Sequence, residues 1–200
     1  MDKKFDLLTL GEIMLRLSPQ NNERIAKCKM FEKHIGGAEL NVACGVALTG
    51  LRTGVISKIP DSALGDFVRN KVRFNGVSDD YLIYDHEKDA RLGVYYYEMG
   101  AFPRKPQVVY DRANSSITRI KMEDLDTEMF TNTRCFHTSG ITLALSQQAR
   151  ETGVEMIKKF KEVESDGLPE SCIQCRLCEG HCPQSIGIPE LMQEIGELMK

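Results

Sequence analysis

The chain has 200 residues, a formal net charge of −3 and 42% hydrophobic residues, which suffices for a core of ordinary domain size. The mild, mixed charge gives no support for binding to nucleic acid or to a membrane surface, and no run reaches the roughly 18 apolar residues of a membrane span. Seven cysteines without an apolar export signal favour a reducing, cytoplasmic setting, where thiols are free or hold metal.

The first half of the chain alternates between strand and helix patterns. Residues 5–10 form a short apolar run typical of a buried strand, and residues 12–19 alternate polar and apolar side chains as a half-buried strand does. The same reading predicts a helix at 38–49, a strand at 54–59, a helix at 63–74 and a strand at 81–84. This alternation predicts an α/β fold, with a parallel sheet and crossover helices.

The middle of the chain has a different pattern. Residues 91–98 and 107–112 are rich in aromatic and β-branched side chains. Only a loop with Gly and Pro separates them, so they predict an antiparallel pair, a small β-flap on the α/β body. A short strand at 134–138 follows, and Ser146 can cap a helix that runs to about Val163.

Two adjacent glycines, Gly36 and Gly37, precede the first predicted helix. Glycine lets the backbone turn sharply, so that a small ligand can touch main-chain N–H groups. A helix start also directs free N–H donors at polar or anionic groups. On pattern alone, however, such a pair is more often an ordinary turn between strand and helix.

Several short strings occur in a characteristic order and spacing. They are Gly11-Glu12, Gly36-Gly37-Ala38-Glu39-Leu40-Asn41-Val42-Ala43, Asp61-Ser62-Ala63-Leu64-Gly65, Asn75-Gly76-Val77, Gly93-Val94-Tyr95, Tyr110-Asp111-Arg112 and Phe136-His137-Thr138-Ser139-Gly140-Ile141. Together they resemble the ribokinase-like (PfkB) carbohydrate kinases, and most of all the 2-keto-3-deoxygluconate kinase branch. The resemblance covers about residues 5–163.

The resemblance implies a ribokinase-like parallel sheet with flanking helices and a small β-lid. It also implies ATP-dependent phosphoryl transfer to a sugar or sugar acid, with ATP and Mg²⁺. The residues that it places against the substrate are Gly36, Gly37 and Asn41 below, and Tyr95, Tyr110 and Arg112 from the lid. A guanidinium can bind the carboxylate of a sugar acid with two parallel hydrogen bonds.

Two observations qualify these implied contacts. Arg16 stands where sugar-specific relatives usually have an acid, which favours an acidic substrate. On pattern alone, Tyr95 and Tyr110 are equally well explained as sheet-packing residues, and Arg112 as a solvated charge.

The resemblance does not extend to the catalytic half of the family. Family members carry the nucleotide site and a G-A-G-D-like motif, which supplies the general base, in their C-terminal half. No such string occurs here, so no catalytic residue is assigned and the isolated chain is expected to be inactive. The family's lid can also mediate dimers, so a homodimer through the lid is a second candidate partner besides the sugar acid.

The last segment carries a different motif. Cys172, Cys175, Cys178 and Cys182 form a C-x2-C-x2-C-x3-C-P run, which is typical of a [4Fe–4S] cluster. The alternative is tetrahedral zinc, with His181 or Cys182 as the fourth ligand. Residues 166–200 resemble the C-terminal iron–sulfur segment of certain aldo/keto reductases, and residues 189–199 predict a short amphipathic helix.

These patterns predict three parts: the N-terminal part of a ribokinase-like domain (1–163), a linker (164–171) and a ferredoxin-like iron–sulfur segment (172–200). Three hypotheses for function follow: a sugar-acid kinase, a [4Fe–4S] electron-transfer module fused to a sugar-binding fragment, and a chimeric or truncated reading frame without activity. The remaining cysteines, Cys28, Cys44 and Cys135, are expected to be small buried residues.

Overall fold

The computed structural model describes residues 3–163, 172–177, 179 and 187–198. The chain divides into two compact units, Met1–Ile157 and Lys158–Lys200. The strands are β1 (Leu7–Leu10), β2 (Met14–Pro19), β3 (Phe31–Gly36), β4 (Thr53–Pro60), β5 (Leu82–Asp85), β6 (Val94–Glu98), β7 (Gln107–Asp111) and β8 (Phe136–Thr138). The helices are α1 (Ala38–Ala47), α2 (Ala63–Phe74), α3 (Glu128–Thr131), α4 (Gly140–Leu143), α5 (Gln147–Val163) and α6 (Ile188–Leu198).

The body of the first unit is a parallel sheet with strand order β5-β4-β1-β8. All four residues of β1 are buried, and so is nearly all of β4. Parallel strands covered by helices on both faces have this near-continuous apolar character. The predicted α/β fold is therefore confirmed, and the carboxyl ends of all four strands lie at one edge of the sheet.

Helices cover both faces of this sheet. On one face, α1 and α2 pack against β4 around a core that includes Leu40, Ala43, Val55, Ile59, Val68 and Val72. On the other face, α5 lies beside β1: a Cβ at Gly153 would lie 3.6 Å from Leu10, and the Thr152 hydroxyl donates to the Ile120 carbonyl at 2.9 Å. The expected cap is present, since the Ala149 N–H donates to the Ser146 hydroxyl oxygen at 3.0 Å.

A glycine in the left-handed conformation follows each of the first two helices. Helix α1 ends at Ala47, two residues earlier than expected, and Gly50 has φ +87° in the turn that follows. Helix α2 has the predicted bounds, and Gly76 has φ +74° just beyond its end. Glycine adopts these left-handed conformations without steric conflict.

A second sheet forms the predicted lid, with strand order β3-β2-β6-β7. Strand β6 pairs antiparallel with β7, as predicted, and parallel with β2. Strand β3 overlaps residues 20–34, a polar and poorly patterned stretch that predicts a loop with one extended piece, and it pairs antiparallel with β2. One face of the lid packs against the core through Leu15, Leu17, Ile35 and Val94, which leaves the alternate side chains on the opposite face.

The isolated cysteines are less buried than their sequence context predicted. Cys28 and Cys44 are half-buried, and Cys135 is exposed. The expectation is wrong for Cys135 because it directly precedes β8, which is an edge strand of the body sheet. Burial raises the pKa of the Cys44 thiol above its ordinary value.

In the second unit, helix α6 confirms the helix predicted near the C-terminus. Arg176 pairs with Glu190 of this helix and with Glu179, the latter at 3.2 Å. Among the described residues of the whole chain, no helix is both long and apolar enough to cross a membrane.

Candidate functional site

The site lies where the carboxyl ends of β1 and β8 meet the start of α1, the usual ligand position in open parallel sheets. Gly11 and Glu12 follow β1, and Gly37 precedes α1. A Cβ at Gly37 would collide with the Glu12 carbonyl oxygen, and one at Gly11 would collide with the Glu39 side chain. Only glycine at both positions lets the strand exit and the helix start approach this closely.

Glu12 joins this edge of the sheet to the segment that follows the lid. Its carboxylate is buried and accepts a hydrogen bond from the Ser115 hydroxyl at 2.6 Å. It also forms an ion pair with the Arg112 guanidinium. A buried carboxylate is stable only when it is paired and hydrogen-bonded, and Glu12 meets both conditions.

Glu39 is the second buried carboxylate of the site, in the first turn of α1. Its Oε1 accepts hydrogen bonds from the Ser139 N–H at 3.1 Å, the Ser139 hydroxyl at 2.5 Å and the Thr142 hydroxyl at 2.7 Å. The partial positive charge of a helix start also favours a carboxylate in its first turn. Glu39 therefore ties the glycine turn to the segment that follows β8.

Four side chains form a row across the outward face of the lid. His34, Arg16, Tyr95 and Tyr110 occupy paired positions on β3, β2, β6 and β7. The rings of Tyr95 and Tyr110 have centroids 5.9 Å apart. Since directly paired residues point to the same face of a sheet, this row presents two phenols and a guanidinium side by side.

Tyr95 connects the lid to the glycine turn. A Cβ at Gly36 would collide with the Tyr95 hydroxyl, so the tyrosine lies directly over Gly36. Burial raises the pKa of Tyr95, while the nearby positive charge of Arg16 and its hydrogen bond lower it by less. The Tyr95 phenol therefore stays neutral at physiological pH and can donate its O–H to a ligand.

The structure brings most of the sequence-predicted site residues together. The Tyr95 hydroxyl lies against Gly36, which directly precedes Gly37, and Tyr110 stands beside Tyr95 with its ring exposed. The Arg112 guanidinium lies 5.8 Å from the Tyr110 ring centroid, next to Glu12. Asn41 lies exposed in the first turn of α1, and no described residue forms a hydrogen bond with its side-chain amide.

The sequence patterns gave Glu12 and Glu39 no role beyond their membership of the strings that resemble the carbohydrate kinases. In the structure both carboxylates connect the elements that form the site, and both had a local signal in the sequence. Each is an acid within two residues of a glycine and next to apolar residues, where a carboxylate needs specific partners. Nothing near either acid in the sequence indicates its partner, Arg112 for Glu12 and Ser139 for Glu39, because each partner lies 100 positions away.

The predicted cluster ligands lie partly outside the described residues. Cys172 and Cys175 are exposed, whereas Cys178 and Cys182 belong to the residues that the structure does not describe. Within the described part of the chain, no three His, Cys, Asp or Glu side chains lie close enough together to hold a metal ion.

Comparisons with known proteins bear on the body and the lid. The family model described as pfkB family carbohydrate kinase matches residues 4–171. A 2-dehydro-3-deoxygalactonokinase from Haloferax volcanii is 41% identical over 157 residues, which are 78% of this chain and 48% of the relative. A 2-dehydro-3-deoxygluconokinase from Thermoproteus tenax is 28% identical over 144 residues, 72% of this chain and 44% of the relative.

A solved structure gives the same result. The crystal structure of 2-dehydro-3-deoxygluconokinase from Thermotoga maritima superposes with a TM-score of 0.74 at 39% identity, over 78% of this chain and 47% of the other. The chain thus spans about half the length of the relatives that it matches. With its parallel sheet, its lid and the glycine turn between them, the chain belongs to the pfkB family of carbohydrate kinases.

Proposed function

We propose that the chain forms the sugar-binding side of a kinase for a 2-keto-3-deoxy sugar acid. The observation that carries this proposal is the placement of the Tyr95 hydroxyl over Gly36, which brings the polar face of the lid against the glycine turn. The names of the relatives support the substrate class, since both 2-dehydro-3-deoxygalactonokinase and 2-dehydro-3-deoxygluconokinase are among them.

In this proposal the substrate lies between the lid and the start of α1. Backbone N–H groups at Gly36 and Gly37, together with the Asn41 amide, face sugar hydroxyls from below. Tyr95 and Tyr110 cover the carbon skeleton and donate their O–H groups. The guanidinium nitrogens of Arg112 that Glu12 leaves free are donors to sugar oxygens.

The family resemblance implies ATP and Mg²⁺, so both are part of the proposal. ATP would supply the phosphoryl group, and Mg²⁺ would neutralise charge on its phosphates. We assign no residue to either and derive no step through them. The contribution of the described residues is to bind and orient the acceptor sugar.

The binding of sugar acid tests the proposal directly. We expect saturable binding of 2-keto-3-deoxygluconate or 2-keto-3-deoxygalactonate to the purified chain in titration calorimetry. Gly36→Ala should abolish binding because the added Cβ displaces the Tyr95 hydroxyl, whereas Gly45→Ala, which meets nothing within 4 Å, should bind normally. Absence of saturable binding, or normal binding by Gly36→Ala, would refute the proposal.

The expected lack of activity has its own test. In an ATP-dependent assay with either sugar acid, the 200-residue chain should show no turnover, because it has no assigned base for the attacking hydroxyl. Turnover at ordinary kinase rates, about 1–100 s⁻¹, would contradict this expectation. Such turnover would place a nucleotide site and a base within these residues.

We also propose a homodimer through the lid. Strand β7 is the outer strand of the lid sheet, and all five of its residues are exposed. Three of them, Val108, Val109 and Tyr110, are large and apolar or aromatic. An exposed edge strand with this composition favours pairing with another strand, and the same edge of a second copy provides one.

A [4Fe–4S] cluster on the C-terminal segment is a second candidate function. The family match ends at residue 171, and Cys172 follows directly. Gln174 and Arg176 have φ values of 53° and 59°, so the backbone around Cys175 turns as in the N–H concavities that often surround iron–sulfur clusters. The proposed ligands remain Cys172, Cys175, Cys178 and Cys182, with the resemblance to aldo/keto reductase tails as further support.

Anaerobic reconstitution with iron and sulfide tests the cluster. We expect a broad visible absorption shoulder that dithionite bleaches, and its loss in Cys175→Ser. The exposed Cys135→Ser is the matched control, because it lies outside the motif. A colourless protein that binds one zinc ion with the same four residues would refute the cluster in favour of a zinc site.

A further inference from the structure

Arg16 stands in the polar row of the lid without an acidic partner. We infer that its guanidinium is the group that recognises the carboxylate of the sugar acid, while Glu12 holds Arg112 for contacts with sugar oxygens. This inference rests on the proposed function and deepens it. It assigns the discrimination between an acid and a neutral sugar to one residue of β2.

The first argument is position. Arg16 pairs with Tyr95 on one side and His34 on the other, and its charge and hydrogen bond act on the Tyr95 hydroxyl. That hydroxyl lies over Gly36. The guanidinium is therefore connected through one phenol to the glycine turn, where the proposed sugar binds.

The second argument is charge. Among the described residues no carboxylate forms an ion pair with Arg16, and its guanidinium carbon lies 6.0 Å from the centroid of the Tyr97 ring. The Nε of Arg16 is buried and has no hydrogen-bond partner. A ligand carboxylate would supply the opposite charge and accept charge-assisted hydrogen bonds from the terminal N–H groups of this guanidinium.

The third argument is the contrast with Arg112. Its Nε also lacks a partner, but the buried Glu12 carboxylate already balances its charge. A second carboxylate on this guanidinium would lie close to Glu12, and two like charges at such a distance repel. Arg112 is thus suited to neutral oxygens, and Arg16 retains the uncompensated positive charge.

The test compares two ligands that differ only at C1. Titration calorimetry on the full chain would use 2-keto-3-deoxygluconate and 3-deoxyfructose, in which a hydroxymethyl group replaces the carboxylate. Arg16→Gln should weaken binding of the acid about 10- to 100-fold, the range for a lost charge-assisted hydrogen bond, and leave 3-deoxyfructose within about threefold. Arg112→Gln should weaken both ligands to a similar degree.

Further variants keep the test independent of folding. Arg16→Lys retains the charge without the bidentate geometry and should lose only part of the affinity for the acid. Arg150→Gln, an exposed arginine on α5, should change neither ligand. Equal weakening of both ligands by Arg16→Gln, or a selective loss of the acid in Arg112→Gln, would overturn the inference and leave the proposed function intact. If the wild-type chain binds neither ligand, both are wrong.

Discussion

Glu39 and Ser139 lie 100 positions apart in the chain, yet one oxygen of the Glu39 carboxylate accepts both the backbone N–H and the hydroxyl of Ser139. Glu39 belongs to the first turn of α1, and Ser139 directly follows β8. The pair therefore joins the glycine turn to the far edge of the body sheet. Any displacement of β8 would reach the proposed sugar site through this carboxylate.

We expect Glu39→Ala to lower the free energy of unfolding by at least about 3 kcal/mol, because it leaves three donors without their charged acceptor. Glu39→Gln keeps an acceptor oxygen and should lose less. Glu128→Ala removes an exposed glutamate from the first turn of another helix, and its effect should stay below about 1 kcal/mol. Urea unfolding of the three variants checks this, and a near-wild-type Glu39→Ala would contradict it.

Gly37→Ala should destabilise the chain by about 2 kcal/mol or more. The new Cβ would collide with the Glu12 carbonyl oxygen, and backbone atoms cannot rotate away as a side chain can. Gly45→Ala is the matched control, since Gly45 lies near the end of α1 with open space around it. This control should gain up to about 1 kcal/mol from helix propensity. Equal unfolding midpoints for the two variants would refute the steric argument.

Local patterns predicted most of the elements. The apolar run at β1, the alternation at β2 and the helical spacing at α2 each reflect burial on a defined face, and the structure confirms them. Because side chains alternate between the two faces of a strand, Tyr95 and Tyr97 lie on the same face of β6. Such patterns carry information over a few residues only.

Long-range partners could not be predicted in this way. Nothing near Glu12 indicates Arg112, which lies 100 positions away, and nothing near β2 indicates that β6 pairs beside it. Cys135 shows the same limit, because its context favours burial while its exposure follows from the position of β8 at the sheet edge. Strand order and edges are properties of the assembled sheet.

Asp85 makes stability depend on pH at the end of β5. Burial raises the pKa of this carboxyl, but hydrogen bonds from Ser116 and Arg119 outweigh it, so the pKa lies below its ordinary value of 3.8. A lowered pKa in the folded state means that the stabilisation is present above pH 4 or so and is lost as the pH falls through the folded-state value. The Arg119 to Asp85 hydrogen bond is 2.8 Å long.

We therefore expect Asp85→Asn to be less stable than the wild type at pH 7, with a difference that shrinks as the pH falls below about 4. Asp89→Asn is the control, because Asp89 binds the same arginine but its side chain is exposed, and its effect should be under about 1 kcal/mol. Unfolding free energies measured at intervals of one pH unit check this. A difference that stays constant with pH would show that Asp85 acts through packing alone.

The proposed dimer predicts that charge on β7 separates the copies. Lysines on an edge strand oppose strand pairing, so Val108→Lys combined with Val109→Lys should shift the mass in light scattering from twice the 22.5 kDa of one chain towards a single chain. Val154→Lys, which alters an equally exposed valine on α5, should remain dimeric. A monomeric wild type, or a double variant that still dimerises, would contradict the proposal. Tyr110, the outermost residue of the row with Arg16 and Tyr95, lies on this same strand. Pairing with a second copy would hold β7 in place, so loss of the dimer should also weaken sugar-acid binding.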